Sequence, residues 1–142
     1  MVKMVVIDAT DVILGRLAGE AAKRALLGEK VNIINCEKAI ISGSKKSIFA
    51  EYTVWRLRGG PQSGPYFPRT REGIVRRTIR GMLPYRKPKG RVAFKNIRCY
   101  VGKPAEFEKE KAITLENAKI TKLKTPKYIT INELSKYMGA KI

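Results

Sequence analysis

The strongest chemistry in this sequence belongs to the guanidiniums of Arg56, Arg58, Arg69, Arg71, Arg76, Arg77, Arg80, Arg86 and Arg91 and the ammonium groups of Lys87 and Lys89. All lie within residues 56–91, a stretch with one acid, Glu72, so it carries a net charge of +10 out of +18 for the 142-residue chain. A packed core cannot absorb that charge, because each buried cation needs a partner and only one carboxylate is near. The charge therefore faces outward. Arginine offers phosphate oxygens a planar fork of donors and offers bases a flat face, so the implied partner is a polyanion with surfaces to stack on. A basic face kept only for solubility is usually mixed in sign, and this one is not. Tyr66 and Phe67 sit in the same stretch without periodic partners. They either tuck back onto the domain or stack on something the partner brings.

Elsewhere the candidate chemistry thins out. The chain has no His, no paired carboxylates in a cleft-like motif, and neither a G-x-G-x-x-G nor a G-x-x-x-x-G-K loop. An enzyme acting on a nucleotide would therefore lack both a near-neutral base and a metal set. Asp8 is the only acid well placed for catalysis, and capping the turn that follows the first strand accounts for it better. Cys36 and Cys99 lack C-x-x-C spacing and have no His to complete a zinc set, so they are expected to be buried thiols. No metal, cofactor or small-molecule substrate is implied. Lys45 and Lys46 stand in the first turn of an expected helix, where they oppose the helix dipole unless an anion sits there; they are second-rank candidates for RNA contact.

Such residues act together only if a scaffold holds them. Gly59, Gly60, Pro61, Gly64, Pro65 and Pro68 exclude both helix and central strand, so the segment from Arg58 to Pro68 reads as a loop. From about Glu72 to Leu83 the spacing is helical, with Val75, Ile79, Met82 and Leu83 on one side and Arg76, Arg77 and Arg80 on the other; Pro84 ends it. Arg91 to Asn96 adds a short helix. Upstream, Val5–Ile7 and Val31–Cys36 read as strands, and Leu14, Leu17, Ala18, Ala21 and Ala25 form a helical stripe between them that Gly28 closes. Strand, helix and strand make a βαβ unit with parallel strands, so the fold class is α/β. Ser44 caps a helix to about Leu57 with Ile48, Phe49, Tyr52 and Trp55 toward the core; Trp55 reads as core rather than as a stacking platform. Ile97 to Val101 alternates as a further strand. The extension from residue 105 mixes charges of both signs, and Thr130–Glu133 is a capping-box pattern opening a helix that closes at Gly139.

One core and one domain, residues 1–142, suit a chain of this length with 44% hydrophobic residues. A pI near 10.2 is the footprint of a nucleic-acid binder. A membrane surface fits less well, since no basic amphipathic helix has a broad apolar face. The opening MVKMVVIDAT does not suit a signal peptide and no run of 18 apolar residues occurs, so a soluble protein is expected. Charge alone leaves open a non-specific DNA-compacting protein.

Several motifs narrow this. The run RTIRGMLP, a basic Pro/Lys/Gly turn and then IRCYVGKP resemble the universal ribosomal protein L13 family of the large subunit (uL13). GPYFPR resembles its archaeal and eukaryotic branch. IDATDVILGRLAGEAAKRALLG and INCEKAIISG match the same family, so the resemblance covers roughly residues 5–104. It implies a three-layer α/β/α fold with a four-stranded parallel sheet, a basic loop-helix extension and a short C-terminal extension, the third strand being Ala39–Ile41. It further implies a non-enzymatic, cytoplasmic constituent of the ribosome. Its partners would be large-subunit rRNA, whose folding and assembly it would support, and neighbouring large-subunit proteins.

Overall fold

The structure, a computed structural model, describes residues 3–58 and 67–140. The βαβ unit forms as expected: β1 (Met4–Asp8), α1 (Leu14–Leu26) and β2 (Lys30–Ile34), with the two strands parallel and Ile7 opposite Ile33. The stripe Leu14, Leu17, Ala18, Ala21 and Ala25 is buried. Gly28 ends α1 at φ +93°, where a side chain would be strained, with Gly28 N–H on the Ala25 carbonyl and Glu29 N–H on the Arg24 carbonyl. β2 stops two residues before the expected Cys36. Asn35 takes left-handed backbone (φ 57°), which an Asn tolerates, and Cys36–Lys38 becomes a 3₁₀ turn.

β3 (Ile40–Ser42), α2 (Lys45–Leu57), α3 (Arg71–Gly81), α4 (Pro88–Lys95) and β4 (Ile97–Cys99) follow. Next come β5 (Ile113–Thr114), β6 (Tyr128–Thr130) and α5 (Ile131–Tyr137). The four-stranded sheet has the order β4-β2-β1-β5 with every pair parallel, which is the expected α/β architecture. Its membership differs from expectation in one strand. Ala39–Ile41 was expected to be the third parallel strand; instead Ile40–Ser42 pairs antiparallel with β6 in a separate ribbon. The vacant place is taken by β5 from the C-terminal extension.

Alternate residues of the strands face opposite ways. Val5, Ile7, Val31, Ile33 and Ile97 join the buried faces of α1, α3, α4 and α5 in one large core. On the other face Val6 and Ile34 are covered by Phe107, with Tyr100 and Ala112 beside them. The extension is thus part of the packing on both sides of the sheet. Thr130 caps α5 through Glu133 N–H (3.3 Å), and Gly139 at φ +90° closes it. No helix among the described residues is long and apolar enough to cross a membrane.

Candidate nucleic-acid interface

α3 carries the centre of the basic stretch. Thr70 accepts from Gly73 N–H through its hydroxyl (3.3 Å) and so starts the helix one residue before the expected position. The helix is wedged between α1, β4 and α5, so its buried face is wider than one stripe: Ile74, Val75, Ile79 and Leu83 are buried. Met82, expected to dock, is instead 45% exposed. It follows the last helical turn, and its sulphur lies across α1 near Gly19.

Arg76, Arg77 and Arg80 were expected to share a free outer side. They are all half-buried, and two of them are seated. The Arg76 guanidinium lies 4.2 Å from the centre of the Phe94 ring, and its Nε donates to the Ile97 carbonyl at 3.3 Å. The Arg80 guanidinium lies 4.1 Å from the centre of the Tyr85 ring. Cation–π contacts of this kind fix the plane of the fork while leaving its outer edge open to an acceptor. Arg77, between them, makes no hydrogen bond among the described residues. Both seats come from beyond Pro84, and Phe94 and Tyr85 pack edge-to-face with each other at 5.5 Å.

That seating depends on α4 lying close against the end of α3. The helix begins at Pro88, three residues earlier than expected, because a proline at the first helical position needs no N–H partner. Gly90 is buried, and a β-carbon there would collide with the Pro84 carbonyl. Arg91 ties the same turn by donating from Nε to the Tyr85 carbonyl at 3.2 Å.

Three clefts run along α3 and meet at Arg77. One, of about 400 Å³, is lined by Tyr52, Trp55, Arg58, Phe67, Arg77, Thr78 and Gly81. A second, of about 520 Å³, holds Arg77, Arg80, Tyr85, Arg86 and Lys87 with Gly81, Leu83 and Pro84. A third, of about 370 Å³, is bordered by Phe67, Pro68, Gly73, Arg76, Arg77, Arg80 and Phe94. The structure thus brings together Arg58, Arg76, Arg77, Arg80, Arg86 and Lys87. Lys89 and Arg91 are exposed on α4. Arg69 and Arg71 lie toward α5: Ser135 Oγ donates to the Arg69 carbonyl (2.6 Å), and Arg71 Nη1 donates to Asn132 Oδ1 (3.4 Å). Arg56 is half-buried near the end of α2. Lys45 and Lys46 are exposed at the opposite end of α2, roughly 15–20 Å away at a rise of about 1.5 Å per residue, and so outside this cluster. Ser44 caps that end, accepting from Ser47 N–H at 3.3 Å. Tyr66 and most of the expected loop, residues 59–66, lie outside the described residues. Phe67 does tuck back, 5.6 Å from Tyr52 and edge-on to it.

The residues that sequence reasoning missed are the seats, Tyr85 and Phe94. The available signal was an aromatic on each side of the Pro/Lys/Gly turn, among cations with no acid to pair them.

The remaining candidates are accounted for structurally. Asp8 Oδ1 accepts from Thr10 N–H (3.0 Å), Thr10 Oγ1 (2.7 Å) and Asn35 Nδ2 (3.1 Å), binding the ends of β1 and β2 together. Burial by itself would raise its pKa, but these hydrogen bonds and the nearby Lys38 leave it lowered. It is held as a carboxylate acceptor rather than as a proton donor. Cys36 is fully buried and Cys99 half-buried. The Cys36 thiol donates to the Ile33 carbonyl at 3.6 Å, and the neighbouring Cys99 thiol together with burial pushes its pKa far up and away from reactivity.

A sequence model described as ribosomal protein L13 matches residues 2–106. Relatives named large ribosomal subunit protein uL13 extend the likeness through the C-terminal extension. The one from Methanocaldococcus jannaschii is 50% identical over 142 aligned positions, covering 97% of this chain and 99% of the relative. That from Methanococcoides burtonii is 46% identical with the same coverage, and that from Halobacterium salinarum is 40% identical, covering 97% of this chain and 92% of the relative.

Proposed function

The chain belongs to the ribosomal protein L13 family, and from that premise we propose that it is a structural constituent of the large ribosomal subunit that binds large-subunit rRNA through residues 56–91. It acts as one L13-like domain without catalysis. Arg76, Arg77 and Arg80 meet phosphates along α3, and Arg58, Arg86 and Lys87 extend that line through the adjoining clefts. Arg56, Arg69, Arg71, Lys89 and Arg91 add charge around it, Tyr66 contributes an RNA contact, and Lys45 and Lys46 make a separate, weaker one. Neutralising crowded phosphates favours a folded RNA, so the protein supports rRNA folding and subunit assembly. Neighbouring large-subunit proteins share the site, and the protein resides with ribosomes in the cytoplasm.

One observation carries this reading: guanidiniums are oriented over aromatic rings by the fold itself, in a stretch of sequence, residues 56–91, with a single acid. A protein that only compacts nucleic acid needs charge but no seating. Binding to a large-subunit rRNA fragment is expected to fall with salt at a log–log slope of roughly −6 to −7 if about eight phosphates are neutralised. A slope shallower than about −2 in a filter-binding titration would sink the electrostatic mechanism. Sedimentation of a lysate in moderate salt separates the two polyanions. The protein should travel with large subunits, and travel with chromosomal DNA instead would reject the ribosomal assignment.

A further inference from the structure

The cleft between α2 and α3 differs from the others in what its rings are doing. Tyr52, Trp55 and Phe67 are mutually inclined, at 60° for Tyr52 with Trp55, 76° for Tyr52 with Phe67 and 44° for Trp55 with Phe67. None of the three lies flat on another. Two other pairs have their faces in use: Phe49 and Tyr137 stack at 4.0 Å and 4°, while Phe94 and Tyr85 carry Arg76 and Arg80. In this cleft Trp55 and Phe67 are only half-buried, and the space of about 400 Å³ is of the size that holds small planar ligands. Arg58 and Arg77 line it, so a planar occupant would arrive with negative charge attached. Arg77 and Gly81 border both this cleft and the basic one holding Arg80, Arg86 and Lys87, so the two adjoin.

We propose that this cleft receives one unpaired nucleobase of the bound RNA, stacked on Trp55 and Phe67, with the adjoining phosphate held between Arg77 and the basic cleft beyond Gly81. The inference rests on the RNA-binding reading above and names what that surface selects: an unstacked nucleotide rather than a duplex backbone. Tyr52 supports it as a donor to a base edge. A phenol keeps its proton at neutral pH in any case, and burial, aided by Glu51, pushes this one further up, to about 12. Gly81 supports it sterically: a β-carbon there meets nothing within 4 Å, so the threshold is open.

Trp55 is the chain's only tryptophan, so its fluorescence reports on this cleft alone. Three probes separate base from charge: single-stranded oligoadenylate, a blunt RNA duplex, and inorganic polyphosphate. Binding of each is followed independently by anisotropy of labelled protein. Oligoadenylate is expected to quench Trp55 strongly, while duplex and polyphosphate bind with little quenching. The decisive variant is Gly81→Leu, which fills the threshold, changes no charge, and exchanges glycine for a better helix former. Its thermal stability should hold or rise, and its polyphosphate affinity, although Gly81 also borders the basic cleft, should fall far less than its oligoadenylate affinity. Oligoadenylate binding should weaken by about tenfold, the worth of one lost stack, and the quenching should vanish. Oligoadenylate that binds without quenching, polyphosphate that quenches equally, or a Gly81→Leu protein that behaves as wild type would each overturn the base pocket while leaving charge-driven RNA binding intact. If neither RNA binds, the RNA-binding reading falls and the pocket with it.

Discussion

Helix α3 with the turn into α4, and the C-terminal extension from residue 105, are both rich in cations and treat them in opposite ways. On α3 two of the three outer arginines, Arg76 and Arg80, are seated on rings, and residues 56–91 hold one acid. In the extension the cations are lysines interspersed with glutamates: Lys109 and Lys111 are exposed beside Glu108 and Glu110, and Lys119 pairs with Glu116 at 3.2 Å. An exposed lysine loses most of its rotamer freedom when it is immobilised on a partner. A guanidinium already held against Phe94 or Tyr85 has less to lose. Net charge favours the first region, +8 over residues 71–95 against +3 over residues 105–142, and the pre-organisation of its cations points the same way.

The largest expected effect tests that ranking directly. Replacing Arg76, Arg77 and Arg80 together by Ala should weaken binding to an rRNA fragment by about 3 kcal/mol or more, at about 1 kcal/mol or more for each charge-assisted contact. Replacing Lys109, Lys111 and Lys119 by Ala removes the same charge and should cost less than about 1 kcal/mol. Equal losses would show that the partner senses net charge only. The arginine variant must also be checked for stability, because Arg76→Ala deletes a cation–π contact and a hydrogen bond to the Ile97 carbonyl. A loss of about 1–2 kcal/mol in denaturant unfolding is expected for that change alone.

This dual role of Arg76 marks where the sequence stopped being legible. Features set within a few residues could be read directly: the α1 stripe, the caps at Ser44 and Thr130, and the stops at Gly28 and Gly139. Features set by distant partners could not. Ile113–Thr114 is a two-residue strand in a mixed-charge tail, too short for any periodicity to show, and it counts as a strand only because β1 has a free edge. A strand at Ala39–Ile41 came only from the family resemblance, and the strand that forms, Ile40–Ser42, pairs with β6, nearly ninety residues on, rather than joining the parallel sheet. The docking face of α3 was close to correct, yet Ile74 and Met82 were exchanged because the helix is clasped from three sides, which a single-stripe pattern does not encode. The positions of the site arginines were evident from charge; their seats were not, since Phe94 and Tyr85 reach them only after the chain has reversed at Pro84.

A second change disturbs the seats while keeping every charge. Gly90→Ala forces a β-carbon against the Pro84 carbonyl, and since backbone faces backbone there, α4 must shift as a unit. The expected destabilisation is about 1–3 kcal/mol, as for overpacking in a core. Phe94 moves with α4, so rRNA affinity should also fall although the net charge remains +18. Ala at Lys109 or Lys111 should alter neither quantity measurably. Unchanged affinity in folded Gly90→Ala protein would mean that seating is irrelevant and that charge position alone matters.

The smallest effect separates seating from charge most cleanly. Arg76→Lys and Arg80→Lys retain one positive charge each, at nearly the same reach, but a lysine is a compact, strongly hydrated point charge without a planar fork. On the Phe94 and Tyr85 rings it stacks less well, and it cannot offer a phosphate two parallel donors. Each substitution should therefore weaken rRNA binding by about 0.5–1 kcal/mol, while the salt slope, which counts neutralised phosphates, stays the same within error. The reverse exchange in the extension, Lys109→Arg with Lys111→Arg, supplies forks but no ring to hold them and should leave affinity unchanged. If those arginines raise affinity as much as the α3 lysines lower it, the gain belongs to the guanidinium itself. The aromatic seats would then be packing features of the fold rather than part of its recognition surface.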